Sequence, residues 1–389
     1  MHRKIFVFCL IASILLSLVP AGIANQTGAA TGPGISATSA VLVDARSGQV
    51  LFEKNAHEQR SIASTTKIMT AIIVLERAKL DEIVTVSNSA SSVGESALFL
   101  RPGEKITVRE LLYALLLQSA NDAAVALAEH IGGSVAGFAE LMNRKANSIG
   151  ASDTHFANPH GLYDANHYST PYDLALITRY CFEDGRFTKI VATKEHDIPR
   201  QGKNQPTKVK NHNKLLWNYP YANGVKTGFI RQAGYCLISS ANKNGVQLIS
   251  VVLNSPSSDA CFEDSQNLLE YAFGKFKLER VIKKGTTYKE VRLPEVFAAK
   301  LKLVASKDLL IQINETPGSL KKIVVTSVPK IPDSLPIEKG TKLGEIRVTQ
   351  FDCNLGKVDL VAAETISKPG QFEMLILWLK LIFKRLAGE

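Results

Sequence analysis

The chain has 389 residues, 45% hydrophobic and 21% charged, proportions that exclude a disordered or collagen-like chain and leave room for two or three domains. A balance of 46 Lys+Arg against 36 Asp+Glu gives a net charge of +10 and favours anionic surroundings: nucleic acid, anionic lipid or an anionic polymer. Five cysteines without a CxxC pair argue against a disulfide scaffold, a zinc ribbon and a thioredoxin-like site.

Arg3 and Lys4 precede an uncharged apolar run from Ile5 to Val19. Pro20-Ala21-Gly22-Ile23-Ala24 follows, with small residues at its last and third-last positions. The run is about 15 residues, short for a spanning helix. Residues 1–24 therefore read as a secretory signal peptide. Cys9 lies mid-run without small residues before it, unlike the cysteine of a lipoprotein signal. Export makes nucleic acid an improbable partner and turns the positive charge toward a membrane surface or an anionic cell wall.

Residues 25–39, rich in Gly, Ala, Ser and Thr, read as a flexible leader. Ala40 to Asp44 and Gln49 to Phe52 are short β runs separated by Ala45-Arg-Ser-Gly48, a hairpin pattern. Ser61 to Ala78 has helical periodicity, as do Val108 to Leu117, Asp122 to Ile131, Val135 to Ile149 and Thr170 to Cys181. Beyond residue 222 the period shortens. Gly224 to Phe229, Gly234 to Ala241 and Val246 to Leu253 read as strands, the last two joined by Asn244-Gly245, a strong hairpin signal. Glu263 to Phe276 returns to a helical pattern. The fold class is α+β: residues 40–276 form one antiparallel sheet flanked by helices, with a helical subdomain inserted. Residues 277–367 form a small all-β domain, rich in Val, Ile, Lys, Thr and Pro, with strands at Lys300 to Val304, Leu309 to Ile313 and Lys322 to Thr326.

After Lys368-Pro369-Gly370 comes a terminal amphipathic helix, residues 368–389. Across Phe372 to Leu386, Glu373, Lys380 and Lys384 share one narrow helical stripe and the rest of the circumference is apolar. At about 22 Å this helix is too short for a hydrocarbon core of about 30 Å. It is expected to lie on an anionic membrane surface with Trp378 near the headgroups.

Three segments carry the chemistry: Ser64-Thr65-Thr66-Lys67 at the start of a helix, Ser119-Ala120-Asn121 between two helices, and Lys226-Thr227-Gly228 on a strand. Residues three apart share a helical face, so Ser64 presents its hydroxyl beside the Lys67 amine. A serine is a poor nucleophile until a base takes its proton, and a lysine serves as that base only when burial and nearby cations lower its pKa. Lys226 would be such a cation and would attract a substrate carboxylate. Gly228 lets a substrate backbone approach the strand closely. Taken singly, each segment has a plainer reading. Ser64 could cap a helix, Asn121 could cap the helix at Asp122, and Cys236 could simply pack. His160 and His167 lack HExxH spacing and read as structural or wall residues rather than metal ligands. Whether Cys181, Cys261 and Cys353 pair after export stays open.

SxxK, SxN and KTG in this order resemble the serine-type D-alanyl-D-alanine carboxypeptidases, the low-molecular-mass penicillin-binding proteins. The likeness extends to Asp44 to Leu51, Ser119-Ala-Asn-Asp-Ala123, Met142-Asn143, Asn158-Pro-His-Gly-Leu162, His167-Tyr-Ser-Thr170 and Asn213-Lys-Leu-Leu216, and through the β domain and terminal helix. It implies the penicillin-binding/β-lactamase-like transpeptidase fold, with no metal or organic cofactor. It implies Ser64 as acylated nucleophile, Lys67 as general base and Ser119 as proton relay. It further implies Asn121, Lys226, Thr227 and Gly228 as substrate-binding residues, and the backbone N–H groups of Ser64 and Phe229 as the oxyanion hole. The substrate would be a peptidoglycan stem peptide ending in D-Ala-D-Ala, with β-lactams as covalent inhibitors, at the outer face of the cytoplasmic membrane. Two departures stand out: Ile230 replaces the usual Thr two residues after the KTG glycine, which is expected to alter one wall of the site, and Cys261 replaces a frequent Arg. A serine β-lactamase shares the motifs, but the extra β domain and terminal helix argue against it. A catalytically silent penicillin-binding scaffold is opposed by the intact Ser64, Lys67, Ser119 and Lys226.

Overall fold

A computed structural model describes residues 32–202, 204–293, 300–314, 323–330, 335–350, 353–368, 370, 375, 376, 379 and 382. The expected signal peptide, 1–24, lies outside these residues, as does the leader up to residue 31.

The N-terminal hairpin and the three later strands form one antiparallel sheet. Its order is Val50–Lys54, Ser39–Asp44, Val246–Ser255, Gly234–Lys243, Ala222–Ile230. Every residue of Ser39–Asp44 is buried, so this sheet is covered on both faces. Successive strand side chains point to opposite faces, and the two cores divide accordingly. Ala40 and Leu42 join Leu237, Leu248 and Val252 against Leu268, Leu269 and Ala272 of the helix Ser258–Lys275. Val41 and Val43 join Ile238, Ile249 and Val251 in the larger core, with the helices Lys67–Arg77, Val108–Leu117, Asn121–Gly132, Val135–Ser148 and Pro171–Cys181. Lys67–Arg77 is buried from Lys67 through Leu75, which makes it the central helix of that core. Asn244 (φ 53°) and Gly245 (φ 81°) take the left-handed conformations that a two-residue hairpin needs.

Several boundaries differ from expectation for local reasons. Ser64 lies in a 3-10 turn, Ala63–Thr66, and the α-helix proper starts at Lys67. The last helix begins at Ser258 rather than Glu263, because Ser257 caps it by accepting from the Ala260 amide. The leader is not free through Ser39. The buried Asp264 carboxylate accepts from the Ser36 amide (2.9 Å), the Ser36 hydroxyl (2.8 Å) and the Ala37 amide (2.8 Å), which fastens the chain just before the first strand. Two small antiparallel pairs, Ile83–Thr85 with Lys105–Thr107 and Glu195–Ile198 with Thr207–Lys210, and the helix Gly185–Val191 were too short to announce themselves by period.

The C-terminal part is all β. Phe276–Ile282 pairs with Leu309–Asn314. A five-stranded antiparallel sheet runs Thr287–Arg292, Lys300–Ala305, Cys353–Ala362, Lys342–Gln350, Ile323–Pro329. Leu301, Leu303, Ile311, Ile346, Val348 and Leu360 centre its separate core. A buried amide exchange joins it to the N-terminal hairpin. Gln49 Nε2 donates to the Gln312 carbonyl (2.8 Å), the Gln312 amide donates to Gln49 Oε1 (2.9 Å), and Gln312 Nε2 donates to Asp44 (3.1 Å).

Within Phe372 to Leu386 only Leu375, Ile376, Leu379 and Ile382 are described, all helical, and Leu375, Ile376 and Leu379 are exposed. Trp378 and the charged stripe lie outside the described residues. Among the described residues, no helix is long and apolar enough to cross a membrane.

Candidate active site

The turn Ala63–Thr66 sits where the edge strand Ala222–Ile230 meets the central helix. Ala63 is left-handed (φ 47°), a conformation that strains a non-glycine residue. Side chains of the same turn hold it: Thr65 Oγ1 donates to the Ile62 carbonyl (2.6 Å) and Thr66 Oγ1 to the Ala63 carbonyl (2.7 Å). Ser64 is half-buried and Lys67 fully buried. The plain N-cap reading of Ser64 does not hold, since the residue preceding the turn is Ile62 and no side chain caps it.

Lys67 Nζ lies 2.8 Å from Ser64 Oγ, 2.7 Å from Asn121 Oδ1 and 2.6 Å from the His160 carbonyl. The two carbonyl-type oxygens can only accept, whereas the serine hydroxyl can donate. As an ammonium Lys67 donates to all three oxygens; in the neutral form its two protons go to Asn121 and His160 and its lone pair faces the Ser64 hydroxyl. Burial first, and the Lys226 charge second, hold the Lys67 pKa well below the ordinary lysine value; Glu95 and Asp122 oppose them. Asn121 is the first residue of its helix, after Ala120 at the N-cap, and caps nothing. Its Nδ2 donates to the Gly94 carbonyl (2.9 Å), which fixes the orientation of the amide.

Lys226 is buried, donates to the Thr227 carbonyl (2.8 Å) and forms no ion pair among the described residues. Burial lowers its pKa to about 7. Ser119 is left-handed (φ 63°), and its buried Oγ has no hydrogen-bond partner among the described residues. Gly228 is where the strand touches the turn: a Cβ there would stand 3.0 Å from the Ser64 nitrogen and 3.1 Å from that of Thr65. Ser64, Ser119, Thr227, Gly228 and the exposed Phe229 line one cleft of about 360 Å³, with Lys67, Asn121 and Lys226 buried beneath. The three sequence segments thus converge on a serine that lines a cleft with two lysines buried beneath it.

The sequence of the family described as D-alanyl-D-alanine carboxypeptidase matches residues 26–257, and that described as penicillin-binding protein 5, C-terminal domain, matches residues 276–368. The chain belongs to the D-alanyl-D-alanine carboxypeptidase family. It is 33% identical to the D-alanyl-D-alanine carboxypeptidase DacF of Bacillus subtilis, covering 95% of this chain and 96% of that one. It is 32% identical to DacC of Escherichia coli, covering 87% of this chain and 86% of that one. Among solved structures, penicillin-binding protein 5 from Haemophilus influenzae superposes with a TM-score of 0.74 at 30% identity, covering 87% of this chain and 99% of that one. The Streptomyces K15 DD-transpeptidase does so with a TM-score of 0.61 at 36% identity, covering 63% of this chain and 99% of that one.

In this serine-type carboxypeptidase the segment Asn158 to Leu162 is a brace. Lys67 and Thr70 donate to the His160 and Pro159 carbonyls, both at 2.6 Å. Gly161 (φ 87°) lies so close to the turn that a Cβ would meet the Ala63 oxygen at 1.9 Å. His167, buried, accepts the Ala157 amide at Nδ1 (3.1 Å), so its proton sits on Nε2 and reaches Thr66 Oγ1 (2.7 Å). No group of three or more potential metal ligands exists among the described residues, and the His160 ring accepts the Leu162 amide at Nδ1 (3.1 Å). The cleft has further lining residues that no motif announced, Glu95, His212 and Phe262, besides Lys214 of the Asn213-Lys-Leu-Leu216 segment. Cys261 and Cys236 also line it as buried free thiols, and burial pushes each up to about 12. Cys181 is likewise free, and the Cys353 side chain lies outside the described residues. Ile230, expected to change a wall of the site, is instead buried in the larger core.

Burial lowers the His167 pKa to about 4, against about 6.5 in an unfolded chain. The folded carboxypeptidase keeps it neutral while the unfolded chain takes up a proton below that unfolded value. Stability should therefore fall as pH drops from about 6.5 toward 4, by up to about 3 kcal/mol from this residue. Urea unfolding of wild type and His167→Gln across this window checks it: the variant should show a shallower pH dependence.

Proposed function

We propose that this carboxypeptidase removes the terminal D-alanine from peptidoglycan stem pentapeptides through a Ser64 acyl-enzyme. The observation that carries this reading is the position of the buried Lys67 Nζ, 2.8 Å from Ser64 Oγ, with two obligate acceptors, Asn121 Oδ1 and the His160 carbonyl, as its other neighbours. Neutral Lys67 takes the Ser64 proton as Oγ attacks the penultimate D-alanine carbonyl. The backbone N–H groups of Ser64 and Phe229 hold the oxyanion. Ser119 passes a proton to the departing D-alanine amine, which accounts for its unpartnered buried hydroxyl. Asn121 holds Lys67 and the substrate amide. Lys226 and Thr227 bind the terminal carboxylate, whose arrival favours the charged form of a lysine otherwise near its midpoint at neutral pH. Water then releases the shortened peptide, which lowers the supply of donors for cross-linking. A β-lactam acylates Ser64 in the same way and stays bound.

Intact mass measurement after penicillin treatment tests this. Wild type should gain one penicillin mass, mapped to Ser64. Ser64→Ala should gain none and release no D-alanine from a D-Ala-D-Ala peptide; an adduct on that variant contradicts the assignment.

We further propose that the enzyme is exported and peripheral on the outer face of the cytoplasmic membrane, held by Phe372 to Leu386. The exposed Leu375, Ile376 and Leu379 support an apolar helical face for the interface. Full-length protein should float with anionic liposomes, and a chain ending at Ser367 should stay in solution with its activity intact. Equal flotation of the two would place the membrane contact elsewhere.

A further inference from the structure

Glu95 is the single carboxylate among the described residues that line the cleft, in a site whose floor holds two buried lysines. Its side chain is exposed and makes no hydrogen bond or ion pair among the described residues, whereas Lys214, the cleft's exposed lysine, is paired with Asp259 at 3.1 Å. Glu95 does not reach the cleft by chance. It is left-handed (φ 65°), which strains a non-glycine residue. Asn121 grips the chain on both sides of it, donating from Nδ2 to the Gly94 carbonyl (2.9 Å) and from its backbone amide to the Ser96 carbonyl (2.7 Å).

The same loop is fastened further along. Gln118 Nε2 donates to the Ala97 carbonyl (2.9 Å). The buried Asp122 carboxylate accepts the Leu98 and Leu100 amides, both at 3.0 Å. Arg200, itself paired with buried Glu104, donates to the Leu98 and Phe99 carbonyls at 2.9 and 3.0 Å. This is a rigid rim, tied to the SxN segment, that presents one unsatisfied negative charge at the mouth of the cleft.

A negative charge there opposes the approach of an anionic group, yet the leaving D-alanine carries a carboxylate. Opposite charges on the two walls separate the substrate's ends: Lys226 on the strand side suits the carboxylate, and Glu95 on the SxN side suits a cation on the part of the peptide that stays on Ser64. We propose that Glu95 forms a subsite for a positively charged amine on the donor peptide, carried by the side chain preceding D-Ala-D-Ala. This rests on the reading of the enzyme as a carboxypeptidase acting on stem peptides, and it adds a selectivity that the motifs do not encode.

The test uses the full-length protein and two peptides that differ by one charge: Nα-acetyl-L-Lys-D-Ala-D-Ala with a free ε-amine, and the same peptide with the ε-amine acetylated. Wild type should favour the free amine in kcat/KM by about five-fold or more, the effect of one exposed to partly screened ion pair. The preference should shrink as salt is raised. Glu95→Gln should bring the ratio to about one, and Glu95→Lys should invert it. Equal rates on the two peptides in wild type overturn the subsite alone. So does an equal loss on both peptides in Glu95→Gln accompanied by a shifted acid limb of the pH profile, which would make Glu95 a tuner of Lys67. Absence of D-alanine release from either peptide by wild type overturns the parent reading and the subsite with it.

Discussion

The active site depends on one buried amine. Lys67 sits with no exposed surface and three oxygens within hydrogen-bond distance, each brought by a different part of the chain. A buried ammonium is costly, and burial together with the Lys226 charge holds the Lys67 pKa well below the ordinary lysine value, which favours the neutral amine. Once neutral, the amine has two protons and a lone pair, and two of its neighbours can only accept. The third neighbour, Ser64, is therefore the group from which it can take a proton. Lys226 adds to the effect across the cleft, and its own burial keeps it close to losing charge as well. Ser64, Lys67 and Lys226, proposed as nucleophile, base and carboxylate-binding cation, are thus parts of one electrostatic arrangement, and a change at any of them is felt by the others.

That arrangement requires segments distant in sequence to meet within a few ångströms, and the fold supplies this by close backbone approach. Gly228 sets the edge strand against the Ser64 turn, and Gly161 sets the bracing loop against Ala63. Non-glycine residues in left-handed conformations gather here too: Ala63 before Ser64, and Ser119 and Glu95 in the cleft lining. Such strain persists only where the surroundings over-determine it: Thr65 and Thr66 hold the turn at Ala63, and Asn121 holds the chain on both sides of Glu95. The supporting cast is largely buried and polar: Thr66, His167, Asn158 and Asp122 touch the turn, the brace and the rim rather than the cleft.

Much of this was legible in the sequence because it is periodic or motif-borne. The apolar run from Ala40 to Val43 announced a strand, and Asn244-Gly245 announced the hairpin; that the first strand is buried on both faces came from the structure. The three-residue spacing from Ser64 to Lys67 put hydroxyl and amine on one face even though the chain there is a 3-10 turn rather than α-helix, since both conformations bring such residues together. What was hidden had no period. Strands of three or four residues, such as Ile83–Thr85, are stabilised by tertiary contacts rather than by pattern. The tether from Asp264 to Ser36 and Ala37 joins residues more than two hundred positions apart, and nothing in a Gly- and Ser-rich segment signals it. Glu95 and His212 reached the cleft unannounced because a loop residue's direction is set by backbone strain and distant hydrogen bonds. The His160 contribution was hidden for another reason: its carbonyl acts, and every residue has one.

The most direct measurement is the pH dependence of the second-order rate of penicillin acylation in rapid-mixing experiments. If neutral Lys67 is the base, the rate should fall on the acid side with an apparent midpoint well below 10.5, the ordinary lysine value. The midpoint belongs to the coupled Lys67 and Lys226 pair rather than to one residue. Removing the charge at Lys226 should therefore move it upward, since that charge helps to keep Lys67 neutral. An acid limb centred near 10.5 in wild type, or a midpoint that stays in place without the Lys226 charge, would contradict a buried neutral lysine as the base that activates Ser64.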